Sequence, residues 1–135
     1  MKKSRVVIDT NIILVSLSRK SPNNWIFQRL IDEDFEICVT TEILLEYYEI
    51  VSQKMSIRAA EGMMRLFDNL ENVVYITTYF EFRLLKDPDD NKFVDCSIAA
   101  DARYIVSHDK DFKVLKTIDF PKVEVIGIEE FKKAF

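Results

Sequence analysis

The sequence predicts an α/β domain with a mostly parallel, five-stranded sheet flanked by helices on both faces. Three observations carry that expectation. Short β-branched apolar runs alternate along the chain with longer segments of helical character. The runs are apolar throughout rather than alternating, as in strands buried on both faces of a parallel sheet. The length, 135 residues, suits one domain spanning residues 1–135.

Taken in order, Arg5-Val6-Val7-Ile8 is the first strand and stops at Asp9. A helical pattern follows through Leu17. Ser21-Pro22 is a good start signal for a helix over Asn24 to Ile31. Phe35 to Val39 reads as the second strand, and Thr40 or Thr41 can cap a helix reaching about Gln53. Ser56 caps the next, to about Leu70, and Val73 to Ile76 is the third strand. Asp87 caps a helix from Pro88 to about Asp101. Tyr104 to Val106 and Val123 to Ile126 supply the last two strands, and Glu129 to Ala134 a terminal helix. No repeat or linker interrupts the series. In such a sheet the crossovers are right-handed, and the functional crevice lies beyond the carboxyl ends of the strands.

Composition narrows the function classes. Apolar residues are 48% and charged residues 31%, ordinary for a globular protein, and two glycines with three prolines exclude collagen-like or linker-rich chains. A chain this size buries roughly two thirds of its unfolded surface, so it needs no staple to fold. Cys38 and Cys96 form no CxxC pair, which points to a reducing cytoplasm. No apolar stretch approaches the roughly 18 residues of a membrane span. The basic start, MKKSRVVIDTN, loses its apolar run at Asp9, too early for a signal peptide, so it reads as mature cytosolic sequence. Acids number 23 against 19 bases, a net charge of −4, which by itself argues against a partner held by bulk positive charge.

The strand ends carry the chemistry. Asp9 follows the first strand, and Ser107-His108-Asp109-Lys110-Asp111 follows the fourth. Either acid could simply cap a helix. Asp87-Pro88-Asp89-Asp90 opens a helix, where acids complement the dipole, yet three carboxylates exceed the needs of one cap. Asp95 lies about 140° round that helix from Asp90 and could share only the flank of a site. Glu42, Glu46 and Glu49 form an i, i+4, i+7 stripe whose spacing does not say which one matters. Clustered carboxylates repel, and a hard divalent cation relieves the repulsion. Oxygen-only ligands favour Mg²⁺ or Mn²⁺ over zinc. Such an ion can activate water against a phosphodiester and stabilise both the attacking and leaving oxygens.

Four motifs in this order carry a family resemblance: Val-Val-Ile-Asp-Thr-Asn at 6–11, Thr-Glu-Ile-Leu-Leu-Glu at 41–46, Asp-Pro-Asp-Asp-Asn-Lys-Phe at 87–93 and Tyr-Ile-Val-Ser-His-Asp-Lys-Asp-Phe at 104–112. The chain resembles the PIN-domain family from Arg5 to about Leu115, and most the branch of toxin components of prokaryotic toxin–antitoxin systems. The resemblance implies a metal-dependent ribonuclease. Asp9 matches the first acid and Glu46 the second, which selects it from its stripe. Asp90 matches the third and Asp109 the fourth. Asp95 matches a further acid common in this branch, as a second-tier ligand. Asn11 and Ser107 match polar residues that position the site. Asp101 stands where glycine is common, and His108 where a small or polar residue is common.

His108, the only histidine, could assist proton transfer but more often such a residue is solvated. Trp25, Phe27, Tyr47, Tyr48, Phe67, Tyr79 and Phe80 could stack on bases, although most are expected in the core. Lys2, Lys3, Arg5, Arg19, Lys20, Lys92, Lys110 and Lys113 could meet an RNA backbone. The expected activity is Mg²⁺- or Mn²⁺-dependent endoribonuclease, with RNA as substrate, a cognate antitoxin and a homodimer as partners, and no membrane association. The alternative is a catalytically silent PIN-like module that binds protein or RNA. A response-regulator-like phosphotransfer domain wants an acid pair after the first strand and a buried lysine after a late one; Asp9 stands alone before Thr10, and Lys110 sits among loop residues. The four candidate carboxylates account for the whole excess of 23 acids over 19 bases, so the acidic balance is compatible with an RNA substrate and a bound cation.

Overall fold

Five short strands, β1 (Arg5–Ile8), β2 (Glu36–Val39), β3 (Val73–Tyr75), β4 (Tyr104–Val106) and β5 (Val125–Ile126), pair in the order β3-β2-β1-β4-β5, every pair parallel. The computed structural model describes residues 3–135; Met1 and Lys2 of the basic start lie outside the described residues. Val6, Val7 and Ile8 are all fully buried although successive side chains point to opposite faces, so both faces of the central strand are covered. The covering helices are α1 (Thr10–Leu17), α2 (Asn24–Ile31), α3 (Thr41–Lys54), α4 (Ile57–Asn69), α5 (Pro88–Ala100) and α6 (Ile128–Lys132). This is the expected fold class.

Local signals act where the sequence placed them. Thr40, rather than Thr41, caps α3, its hydroxyl accepting from the Ile43 amide at 3.2 Å. Ser56 caps α4 through the Ala59 amide at 3.0 Å, and Asp87 caps α5 through the Asp89 amide at 2.9 Å. The buried Asn72 donates to the carbonyls of Leu30 and Phe35, at 2.9 and 2.8 Å, and so ties the α2–β2 turn to the start of β3. Phe131 of α6 packs its ring against Phe35, Tyr104 and Trp25 with centroids 5.3, 5.9 and 5.7 Å apart, which fixes the C-terminal helix over the sheet.

Asp109 caps a short helix after β4, one of the readings its position allowed: a 3-10 helix over Lys110–Thr117. The last strand shrinks to two residues because it sits at the sheet edge and has one partner. Residues 76–87 carry no regular structure, although Asn91 holds them by accepting from the Leu85 amide at 2.9 Å and donating to its carbonyl at 3.1 Å.

Asp101 ends α5 in the left-handed region, at φ 51° and ψ 47°. That conformation explains why a glycine is at home there: a Cβ is strained, and an acid at a helix C-terminus meets the wrong end of the dipole. Asp101→Gly should therefore stabilise the fold by about 0.5–1 kcal/mol, read as a higher denaturant midpoint with unchanged slope.

Candidate active site

The pairing of β1 with β4 sets the site. Ile8 lies opposite Val106, and the Asp9 amide donates to the Val106 carbonyl at 3.0 Å, so the residues leaving the two strands stand side by side. The Ser107 hydroxyl donates to Asp9 Oδ2 at 2.7 Å while accepting from the Asp109 amide at 3.0 Å. Asp9 occupies the N-cap position of α1, yet its side chain makes no cap hydrogen bond. It is 7% exposed. Burial raises its pKa above the ordinary carboxylate value; the Ser107 hydrogen bond and the neighbouring Thr10 backbone oppose the rise, and Asp109 and Glu46 add to it.

Glu46 arrives from the middle of α3. The buried Tyr47 beside it donates its hydroxyl to the Ile8 carbonyl, which anchors α3 to the last residue of β1. Thr10 donates to one oxygen of Glu46, and Lys92 Nζ meets the other at 2.7 Å. Glu42 and Glu49 are exposed, and Glu49 accepts only from Gln53 on its own helix, at 3.4 Å. The stripe therefore contributes one residue.

Asp90, Asp109 and Asp111 complete the arrangement: each offers a carboxylate oxygen within 4.8 Å of the others. Asp90 is raised to about 6, by burial first and then by Asp109, Asp87, Asp9 and Asp111. Asp109 is both cap and cluster member, because the turn that lets it accept from the Asp111 amide at 2.9 Å also folds the Asp111 side chain back beside it. Asp111 was not among the expected ligands. An Asp-x-Asp shortly after a strand end is the signal that marks it: at i, i+2 even an extended chain sets both side chains on one face, roughly 6–7 Å apart, and the turn at Asp109 draws them closer.

Other expected residues lie elsewhere. Asp95, expected as a second-tier ligand, accepts from the Phe82 amide at 3.1 Å and is not part of the cluster; the charges that act on it are Glu81 and Glu42. Its place five residues along α5 from Asp90 turns it toward the loop of residues 76–87. Asn11 makes no side-chain hydrogen bond to the carboxylates among the described residues, whereas Thr10, not among the expected site residues, donates to Glu46. Arg5 pairs with Glu36 at 3.3 Å and bonds the Ala100 carbonyl, at the opposite end of the strands from the acids. His108 is exposed, but its Nε2 accepts from the Ile128 amide at 3.0 Å, so it ties β4 to α6. Tyr47 and Phe67 are core, while Tyr79 and Phe80 are 84% and 74% exposed.

The acids at the sheet edge offer carboxylate oxygens only, and burial with mutual repulsion leaves Asp90 and Asp9 holding protons too tightly. That donor set fits a hard divalent cation and not a soft one.

A family model described as a PIN domain matches residues 5–111. The chain belongs to the PIN-domain family. No curated protein matches it by sequence. Solved structures share the PIN fold at low identity. VapBC2 from Rickettsia felis, bound to a DNA fragment from its promoter, aligns with TM-score 0.63 and 16% identity over 91% of this chain and 98% of that one. VapC20 of Mycobacterium tuberculosis, a sarcin–ricin loop cleaving toxin, gives 0.60 and 14% over 88% and 98%. The PIN domain endonuclease Utp24 gives 0.53 and 16% over 91% and 84%.

The raised carboxyls of this PIN domain have a sign that can be checked. Asp90 holds its proton more tightly folded than unfolded, and Asp9 shifts the same way. Their ionised forms cost stability above about pH 6, and the cost is relieved as pH falls toward the unfolded carboxylate value. Without divalent metal, the melting temperature should rise as pH is lowered from about 7 to about 5, and the rise should shrink in Asp90→Asn. A melting temperature that falls over that range in wild type, or a rise unchanged in the variant, contradicts this account.

Proposed function

We propose that this PIN domain is a metal-dependent endoribonuclease that hydrolyses RNA phosphodiester bonds, the toxin of a toxin–antitoxin pair. The observation that carries the reading is the convergence of Asp90, Asp109 and Asp111 within 4.8 Å, with Asp9 and Glu46 locked beside them. Nothing in the packing requires so many acids at one sheet edge, and their mutual repulsion works against the fold. Asp90, Asp109 and Asp111 would hold Mg²⁺ or Mn²⁺, with Asp9 and Glu46 the next carboxylates available and Asp95 outside the set. A bound ion supplies the positive charge that a phosphodiester and an attacking water need at this edge.

The chain's own residues do the rest. Ser107 holds Asp9, and Thr10 and Lys92 hold Glu46, so that neither carboxylate has to be ordered when substrate arrives. Lys92 also donates to the Asp89 carbonyl, so its ammonium is fixed between that carbonyl and Glu46. Support for RNA as substrate comes from the fold's appearance in a toxin that cleaves the sarcin–ricin loop, and in a PIN domain endonuclease. Support for a protein partner comes from its appearance in a VapBC assembly. We therefore infer a cognate antitoxin and a homodimer. A cytoplasmic place fits Cys38 and Cys96, both buried and unpaired, and among the described residues no helix is long and apolar enough to cross a membrane.

Cleavage of a mixed single-stranded RNA pool should require Mg²⁺ or Mn²⁺, stop with EDTA, and fall on the order of 100-fold or more in Asp9→Asn and Asp90→Asn with circular dichroism unchanged. Cleavage indifferent to both substitutions overturns the site. No cleavage of any RNA, together with no divalent binding by calorimetry, favours the silent binding module. Ser107→Ala should lower cleavage about tenfold, because Asp9 keeps its charge but loses its orientation.

A further inference from the structure

Beside the acid cluster lies a hollow of about 330 Å³ that shares Asp9 and Asp109 with it. Ile12, Val15 and Ile128 form its apolar part, and Asn11, Asn23 and His108 its polar part. Val15 is 39% exposed, so its methyls can be reached from the hollow. Asn23 sits at the start of α2 without capping it, and among the described residues neither its carboxamide nor that of Asn11 has a hydrogen-bond partner. His108 spends Nε2 on the Ile128 amide, which leaves Nδ1 to carry the ring's hydrogen as a donor.

We infer that this hollow is a nucleobase subsite, which takes the base next to the scissile phosphate and sets the cleavage preference. Two chemical arguments select a base. The walls shared with the acid cluster, Asp9 and Asp109, disfavour a phosphate or carboxylate and admit a neutral group. An apolar side chain would leave both carboxamides unpaired, and a guanidinium, though it suits Asp9 and Asp109, would leave the carboxamide N–H donors without an acceptor. A base offers a flat apolar face together with an edge that carries donors and acceptors, the two halves that the hollow presents. The position beside a scissile bond rests on the nuclease reading of the cluster; the fit to a base rests on the hollow itself.

The test uses adenosine, guanosine, cytidine and uridine 3′,5′-bisphosphates, which carry a base and two phosphates but no diester to cut. With Mg²⁺ present, titration into methyl-labelled protein should shift the Ile12, Val15 and Ile128 methyls saturably, one base more tightly than the others. Asn23→Ala should weaken that base about fivefold, the worth of one hydrogen bond, and Val15→Phe, which fills the hollow, should remove the response. Sequenced product ends from the RNA pool should show a preferred base beside the cut in wild type and a flattened preference in Asn23→Ala. The inference is overturned if no bisphosphate shifts these methyls, or if both variants leave the shifts and the base profile as in wild type. Argininamide shifting the same methyls more strongly than any bisphosphate also overturns it, in favour of a protein segment. Methyl shifts without RNA cleavage keep the subsite and remove the nuclease reading. Asp90-dependent cleavage with an unaltered base profile in both variants keeps the nuclease and removes the subsite.

Discussion

The parallel pairing of β1 with β4 is the constraint on which the rest depends. One backbone hydrogen bond, from the Asp9 amide to the Val106 carbonyl at 3.0 Å, carries the ladder one residue past the strands and sets Asp9 abreast of Ser107. Because parallel strands leave the sheet in the same direction, everything that follows them emerges at one edge. Asp9, Asp109 and Asp111 therefore meet at that edge by topology, before any side chain has expressed a preference. The remaining acids are brought by helices: Glu46 by α3, whose Tyr47 is fastened to the Ile8 carbonyl, and Asp90 by the first turn of α5. Repelling carboxylates are thus held together largely by backbone geometry and apolar packing, to which Asp109 adds its own cap.

A second layer determines how each carboxylate is held. Asp9 and Glu46 are restrained by neutral hydroxyls, from Ser107 and Thr10, and Glu46 also by the Lys92 ammonium. Asp90 has no such side-chain partner among the described residues, and burial first, then the neighbouring acids, push its pKa to about 6. The site is therefore divided into acids held by another side chain and acids that are not. Asp90, Asp109 and Asp111 form the second class, and they are also the three that approach within 4.8 Å of one another. The division follows from the geometry of the turn at Asp109 and the start of α5, and it separates the proposed ion-holding residues from the carboxylates that frame them.

Most of the fold was legible because strand and helix periods, caps and strand-end acids are local properties of the sequence. Thr40, Ser56 and Asp87 cap helices for the reason their residue types suggest, and the apolar runs form parallel strands, although the runs themselves do not give their order in the sheet. What was not legible depends on how one segment meets another. Asp95 was expected as a ligand only through the family resemblance; its partner is an amide of the loop of residues 76–87, and that loop has no period by which its path could be read. Asp111 is drawn into the cluster where the chain turns into a 3-10 helix at Asp109. Thr10 and Lys92 matter through a shared partner on another helix, Glu46, and no spacing in one dimension connects positions 10, 46 and 92.

The net charge of −4 takes a different meaning once its location is known. Spread over the surface, an acid excess would repel RNA at every approach. Concentrated at one edge, it acts over roughly a Debye length, about 8 Å at physiological salt, and leaves the rest of the surface near balance. On the proposed reading, nucleic acid and cation then bind interdependently: the ion removes the repulsion that keeps a phosphate out, and the phosphate supplies oxygen ligands that the protein does not provide. Lys92, already committed to Glu46, cannot substitute for the ion, because its charge is largely spent within the protein. A site built in this way stays closed to RNA without metal and opens to it locally when metal is present, so affinity should depend more on divalent ion than on the overall charge of the chain.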